Sequence, residues 1–244
     1  MIKTELCAYS VEACQIAARL GVNRVELCAS PAEGGVTPSL ASIERVAQIP
    51  NLDLSVMIRP RGGDFLYSDD EFQTMLLDIE YARKAGATGV VFGILTADGK
   101  VDMERTRQLV EAAGDMETTF HRAVDMAEDY TQAVEDIIAA GCKRILTSGS
   151  YDKAIDGIEN IAKAVEVSRG RIEIMVGSGV VAKNAQQLAA TGVDALHFSA
   201  KCMVSGGMLY RNPRISMGGS DAVDEFALRT VDENEVKEIL KLIK

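Results

Sequence analysis

Residues 84–92 read Lys-Ala-Gly-Ala-Thr-Gly-Val-Val-Phe and contain the structural unit that recurs along the chain. A helical pattern ends in small residues and Gly86, and a β-branched run begins at Val90. Glycine at that position is typical of a left-handed helix C-cap, which turns the chain toward the next strand at low steric cost. The unit recurs at Gly21, Gly141 and Gly192. This recurrence predicts a chain of repeated helix and strand units.

Eight strand candidates follow from the pattern, and a helical pattern comes after each of them. They cover about 2–7, 24–28, 53–58, 89–93, 117–121, 143–147, 172–176 and 195–199. Eight such units in about 250 residues predict a (β/α)8 TIM barrel. A doubly wound sheet uses the same units, but it normally has a Gly-rich phosphate turn after its first strand, and residues 7–11 contain no glycine.

The predicted barrel is a single domain over residues 1–244. A polar, Gly-rich stretch at about 200–221 predicts a long loop after the eighth strand, either a lid over the barrel or a subunit contact. A capping box at Asp232 and Glu235 predicts a last helix at about 232–243.

The composition is that of an ordinary soluble globular protein, with 47% hydrophobic and 25% charged residues in 244. A formal net charge of −10 argues against a broad nucleic-acid or anionic-membrane surface. Charged residues within 1–5 and the absence of a long apolar stretch predict neither a signal peptide nor a membrane span. Five scattered cysteines without a CxxC motif predict free thiols in a reducing cytoplasm.

Many polar residues fall at the predicted carboxyl ends of the strands, where barrel enzymes place their active sites. They are Glu5, Glu26, Arg59, Arg61, His121, Arg122, Asp125, Ser148, His197 and Ser199, with the turn Gly177-Ser178-Gly179. Both histidines of the chain belong to this set.

Side-chain alternation places Glu5 with Cys7 on one face of the first strand, and Glu26 with Cys28 on one face of the second. The helix-facing side of a barrel strand is dry, so both pairs are expected to face the barrel axis. The alternation places Met57 one position off this inward register.

Three interpretations fit this arrangement. In the first, the thiols are small buried hydrophobes and the glutamates pair with Arg59 or Arg122. In the second, Cys7 and Cys28 bind Cu(I), which needs only two or three soft ligands.

In the third, the chain is an enzyme of unknown reaction on a small anionic or phosphorylated substrate. Glu5 and Glu26 act as acid and base, His121 shuttles a proton and Asp125 belongs to the same set. A divalent metal held by carboxylates and imidazole is a variant of this interpretation. The expected anion ligands are Arg59, Arg61, Arg122, Ser148, His197, Ser199 and the turn Gly177-Ser178-Gly179.

Several longer strings carry a resemblance to a known family. They are Glu26-Leu27-Cys28, residues 33–39 (Glu-Gly-Gly-Val-Thr-Pro-Ser), residues 57–67 (Met-Ile-Arg-Pro-Arg-Gly-Gly-Asp-Phe-Leu-Tyr), residues 119–123 (Thr-Phe-His-Arg-Ala) and residues 146–149 (Leu-Thr-Ser-Gly). Over about residues 1–215 the sequence resembles the CutC copper-homeostasis proteins. It departs from them at Ser178, where they usually have glycine.

The resemblance implies a cytoplasmic TIM barrel that forms a homodimer or a higher homo-oligomer. It also implies a role in copper homeostasis, with Cys7 and Cys28 as Cu(I) ligands.

Overall fold

A closed barrel of eight parallel strands forms the centre of the protein, in a computed structural model that describes residues 2–212, 214–215, 224 and 226–243. The strands are β1 (Lys3–Ala8), β2 (Arg24–Leu27), β3 (Asp53–Met57), β4 (Gly89–Phe92), β5 (Glu117–Phe120), β6 (Arg144–Thr147), β7 (Glu173–Val176) and β8 (Ala195–Phe198). They pair in chain order, and β8 pairs with β1 to close the barrel. The predicted TIM barrel is confirmed.

Helices surround the barrel and bury their apolar faces against its strands. They are α1 (Val11–Leu20), α2 (Leu40–Ala47), α3 (Asp69–Lys84), α4 (Met103–Ala113), α5 (Tyr130–Ala140), α6 (Ile158–Ser168), α7 (Ala182–Ala189) and α8 (Glu233–Leu242). In α3, Ser68 and Glu71 form a reciprocal capping box, and Phe72, Met75 and Ile79 are buried on one face. The side chain and the backbone of the first turn thus satisfy each other's hydrogen bonds while the apolar stripe packs on the core.

The segment after β8 differs from the predicted loop. Lys201–Ser205 is a strand, β9, and it pairs antiparallel with β10 (Ala227–Val231). This hairpin was not predicted from the sequence because β10, the partner of β9, lies far along the chain. Residues 213 and 216–221 of the predicted loop lie outside the described residues.

The inside of the barrel is unusually polar near its amino end. Arg24 and Arg144 are almost fully buried there and form ion pairs with Glu5 and Glu173, which belong to β1 and β7. The outward faces of the strands are apolar and carry the main core. Within the described residues, no helix combines the length and apolar composition that a membrane crossing requires.

Candidate thiol site at the barrel mouth

Three sulfur-containing side chains meet at the carboxyl ends of β1, β2 and β3. Cys7, Cys28 and Met57 pack together with Val91 and Tyr9, and we call the three the sulfur cluster. The expectation that Met57 lies off the inward register was wrong. Ser55 pairs with Glu26 across β2 and β3, so Met57, two residues further, faces the same side as Cys28.

The loop after β2 covers the sulfur cluster. Its backbone passes so close that a Cβ on Gly35 would lie 3.2 Å from the Cys28 Sγ and 3.7 Å from the Met57 Cε. Gly35 also has a φ of 105°, which other residues rarely adopt. The loop therefore excludes solvent from Cys28, whereas Cys7 stays partly exposed.

Glu5 lies below the sulfur cluster and is completely buried. The Nε of Arg24 donates to one carboxylate oxygen, and the Nδ1 of His197 lies 2.7 Å from the other. Burial opposes ionisation, but the His197 hydrogen bond and the Arg24 charge outweigh it and lower the pKa of Glu5 to about 2. Arg24 was missed in the sequence, although it stands two residues before Glu26 and so shares its face of the strand.

Glu26 lies between the thiols and His197. The Cys28 Sγ lies 3.4 Å from its Oε2, and the His197 Nε2 is 3.7 Å from the same oxygen. Burial raises the pKa of this carboxyl well above its ordinary value. Its Oε1 is buried and has no hydrogen-bond partner among the described residues.

The two thiols have opposite acidities. A hydrogen bond from Cys28 lowers the pKa of Cys7 well below its ordinary value; burial opposes this effect, and His197 adds to it. The same bond, with burial, raises the pKa of Cys28. Burial disfavours the His197 cation, but Glu26, Cys7 and Glu5 raise its pKa well above 6.5. The Cys7 Sγ, a Glu26 oxygen and a His197 nitrogen all lie within 4.8 Å of one another.

His121 is separate from this cluster. Its Nδ1 accepts a hydrogen bond from the Ala123 backbone at 3.1 Å and so caps a short 3-10 turn (Arg122–Met126). Burial, with the nearby charges of Arg59 and Arg122, lowers the pKa of His121 to about 3. The histidine in contact with the glutamates is therefore His197, and the expected partnership of His121 with Glu5 and Glu26 is corrected.

Arg59 and Arg61 hold loops rather than forming an anion clamp. Arg59 donates to the carbonyl oxygens of Glu33, Gly35 and Gly63 at 2.7–3.0 Å. Arg61 has its own carboxylate partners in the same region. Glu5 pairs with Arg24 rather than with Arg59 or Arg122, and among the described residues Glu26 has His197 but no arginine within 4 Å.

Asp125 is also engaged within the protein. Its carboxylate accepts from the Thr147 hydroxyl at 2.6 Å, from the backbone and hydroxyl of Ser148, from the Ser150 backbone and from Arg122 Nε. The carboxylate thus joins the ends of β5 and β6. Ser148 is fully buried in this network.

The turn Gly177-Ser178-Gly179 serves the packing of His197. A Cβ on Gly177 would lie 2.7 Å from the Leu146 Cδ1 and 3.1 Å from the His197 Cδ2, so glycine leaves room for both side chains. Ser178 has a φ of 77°, a conformation that favours glycine. The first amide of α7, Ala182, donates to the Glu235 carboxylate at 2.7 Å, so this amide next to the expected anion-binding turn has an internal partner.

A cavity of about 1010 Å³ opens above the site. Cys7, His197 and Ser199 line it, and so do α7, the hairpin and the start of α8. Its cationic side chains are Arg122, Lys153, Lys183, Lys201 and Arg229. Its acidic side chains are Asp152, Asp232 and Glu235, of which the last two accept backbone hydrogen bonds at helix starts.

Fold and site define a TIM-barrel protein with a buried thiol, carboxylate and imidazole cluster at its mouth. The CutC family matches residues 2–202, and the chain belongs to this family. It is 45% identical to a CutC family protein of Bacteroides fragilis over 98% of this chain and 96% of that protein. It is 40% identical to the human copper homeostasis protein cutC homolog, over 98% and 88% of the two chains.

Solved structures agree with this assignment. A crystal structure of CutC from Streptococcus agalactiae superposes with a TM-score of 0.78 at 37% identity, covering 82% of this chain and 99% of that one. An oxaloacetate acetylhydrolase superposes with a TM-score of 0.59 at 16% identity, covering 81% and 75%. The second similarity shows the shared barrel fold alone.

Proposed function

We propose that this protein binds Cu(I) in copper homeostasis, with Cys7 and Cys28 as the ligands. The observation that supports this most is the sulfur cluster, which places two thiols and a thioether on neighbouring strands. Cu(I) is a soft ion that prefers thiolate and thioether donors and is satisfied by two or three of them. The donor set of this chain therefore fits the ion that the family name implies.

Proton binding at the site supports the same proposal. A metal ligand must be deprotonated, and the hydrogen bond from Cys28 already favours the thiolate of Cys7. Glu26 lies 3.4 Å from the Cys28 sulfur and can take up the second thiol proton when copper binds. Met57 offers a neutral third donor that needs no deprotonation.

The double variant Cys7→Ser/Cys28→Ser is expected to lose tight Cu(I) binding, because hydroxyls are poor ligands for a soft ion. An anaerobic titration against a strong colorimetric Cu(I) chelator measures this, with a loss of at least about 100-fold in affinity expected. Cys202→Ser, which removes a partly exposed thiol outside the cluster, is the matched control and should bind as the wild type does. Stoichiometric, tight binding in the double variant would refute the proposal.

A second candidate function is supported by the cavity. Five cationic side chains line it, and within the described residues Lys153, Lys183 and Lys201 have no ion-pair partner within 4 Å. We propose that the cavity binds a small anionic molecule, as an enzyme of this fold would bind a substrate. The sequence-predicted anion ligands Arg122, Ser199 and His197 line this cavity.

Inorganic phosphate and malonate are suitable probes for this second candidate. The variant Lys183→Gln/Lys201→Gln is expected to weaken their binding about ten-fold in calorimetric titration, since two cations facing one cavity raise the local anion concentration. Lys84→Gln/Lys163→Gln removes two exposed lysines outside the cavity and serves as the control for net charge. Equal affinity in the wild type and in the cavity variant would refute the candidate.

We propose further that the hairpin mediates a homo-oligomer. Large apolar side chains are exposed on it and on the residues after β9, namely Met203, Val204, Met208, Leu209, Tyr210, Ile215 and Leu228. Such a concentration of exposed apolar surface is typical of a protein–protein interface.

Val204 and Leu228 are a cross-strand pair of the hairpin. Val204→Glu/Leu228→Lys keeps a favourable pair but removes the apolar surface, so we expect it to lower the particle mass to that of a monomer in light scattering. Leu77→Glu, on the exposed face of α3, should leave the mass of the wild type unchanged. A wild type that is itself monomeric would contradict the proposal.

For the compartment we propose the cytoplasm, where thiols stay reduced and available to Cu(I).

A further inference from the structure

A carboxylate, an imidazole and a thiol follow one another from the barrel interior to the cavity. Glu5 is buried and is itself held by Arg24, so it fixes the Nδ1 side of the His197 ring at 2.7 Å. The opposite nitrogen of the ring is therefore turned toward Cys7 and Glu26. An orienting group, a base and a nucleophile in this order are the parts that covalent enzymes use to activate a weak nucleophile.

We infer that Cys7 is a nucleophilic thiol, with His197 as its base and Glu5 as the positioning residue, and that it attacks an electrophilic carbon of a small anionic molecule bound in the cavity. The inference rests on the second candidate function, the anion-binding cavity. It does not depend on copper.

Cys7 differs from the other thiols of the chain in its accessibility from the cavity. Within the part of the chain that the structure describes, Cys7 is the one cysteine that lines the cavity. Cys28 is 2% exposed, and burial raises the pKa of both Cys14 and Cys142 to about 12. A buried, protonated thiol is inert toward electrophiles, so Cys7 is the thiol that can react with an electrophile at the barrel mouth.

The charge around the cavity determines the class of substrate. The Arg229 guanidinium lies over the Tyr9 ring at 4.4 Å, and Tyr9 packs on the sulfur cluster. With the lysines of the cavity, this cation favours a substrate that carries a carboxylate or a phosphate close to its electrophilic carbon.

In the covalent step, the Cys7 sulfur forms a bond to the electrophilic carbon, and the leaving group departs with the electron pair of the broken bond. The thiol proton passes to the Nε2 of His197 and from there to the leaving group or to solvent. No oxidant or reductant is needed.

Iodoacetate and iodoacetamide test both parts of the inference on the copper-free, reduced full chain. Each transfers the same carbon to sulfur with loss of iodide, but only iodoacetate is an anion. Peptide mass mapping gives a rate for each cysteine, with the partly exposed Cys202 as the internal reference. Iodoacetamide should modify Cys7 at least about ten-fold faster than Cys202, and iodoacetate should enlarge this ratio further.

Three variants separate the roles. His197→Gln should slow both reagents at Cys7 and leave Cys202 unchanged. Arg229→Gln should slow iodoacetate alone. Glu5→Gln keeps an acceptor for the ring and should retain most of the Cys7 rate, whereas Glu5→Met should lose it without changing Cys202.

Equal iodoacetamide rates at Cys7 and Cys202 in the wild type would overturn the nucleophile, and so would an unchanged Cys7 rate in His197→Gln. If iodoacetate alone still preferred Cys7, the anion cavity would stand and only the nucleophile would fall. Because the first comparison uses the wild type, a variant that fails to fold leaves the inference testable.

Discussion

Substitution of Arg24 by methionine is expected to lower the free energy of unfolding by about 3–5 kcal/mol, the usual cost of leaving one member of a buried ion pair without its partner. Arg24 donates to the fully buried Glu5 and contacts Glu173 and the Met175 sulfur. Methionine fills a similar volume but provides no charge and no donor. The carboxylate of Glu5 would then depend on His197 alone.

Urea unfolding of Arg24→Met and of Arg19→Met measures this difference. Arg19 pairs with Glu233 on the surface, where solvent screens the charges and the pair contributes little to stability. The double variant Arg24→Met/Glu5→Gln should recover part of the loss, because it leaves no unpaired buried charge. Equal small losses in Arg24→Met and Arg19→Met would contradict the role assigned to the buried pair.

Acidification from pH 7 to pH 5 is expected to lower the free energy of unfolding by about 2 kcal/mol more in the wild type than in His121→Asn. The pKa of His121 is about 3 in the folded protein, against 6.5 as its ordinary value. Between these values the unfolded chain binds a proton that the folded chain does not. Stability that is fully present above pH 6.5 is therefore lost as the pH falls.

Asparagine is the matched substitution at this position because its side-chain oxygen can still accept the Ala123 N–H that His121 accepts. The carboxylates and His197 titrate in both proteins, so their contributions cancel in the difference. Parallel stability curves for the two proteins over this pH range would show that His121 does not bear the expected proton linkage.

The barrel itself could be predicted from the sequence because its signals are local. Each helix cap lies only a few residues before the β-branched run that follows it, as Gly86 does before Val90–Phe92. The hairpin escaped prediction because β9 and β10 find each other across a long stretch of chain. No local pattern specifies such a pairing.

The site could be predicted in part. Alternation along β1 and β2 was enough to bring Glu5, Cys7, Glu26 and Cys28 together. The register of β3 against β2 was needed to place Met57, and a single sequence does not contain it. The two histidines differ for a similar reason. His121 follows β5, and its side chain caps the 3-10 turn that comes next. His197 lies within β8, which pairs with β1, and Glu5 is its register partner there.

X-ray absorption at the copper edge of the Cu(I)-loaded protein tests the central claim most directly, because it identifies the atoms bound to the metal. We predict a first coordination shell of sulfur that is lost in Cys7→Ser/Cys28→Ser and retained in Cys202→Ser. A shell dominated by nitrogen and oxygen in the wild type would contradict it and would place the metal on Glu26 and His197 instead.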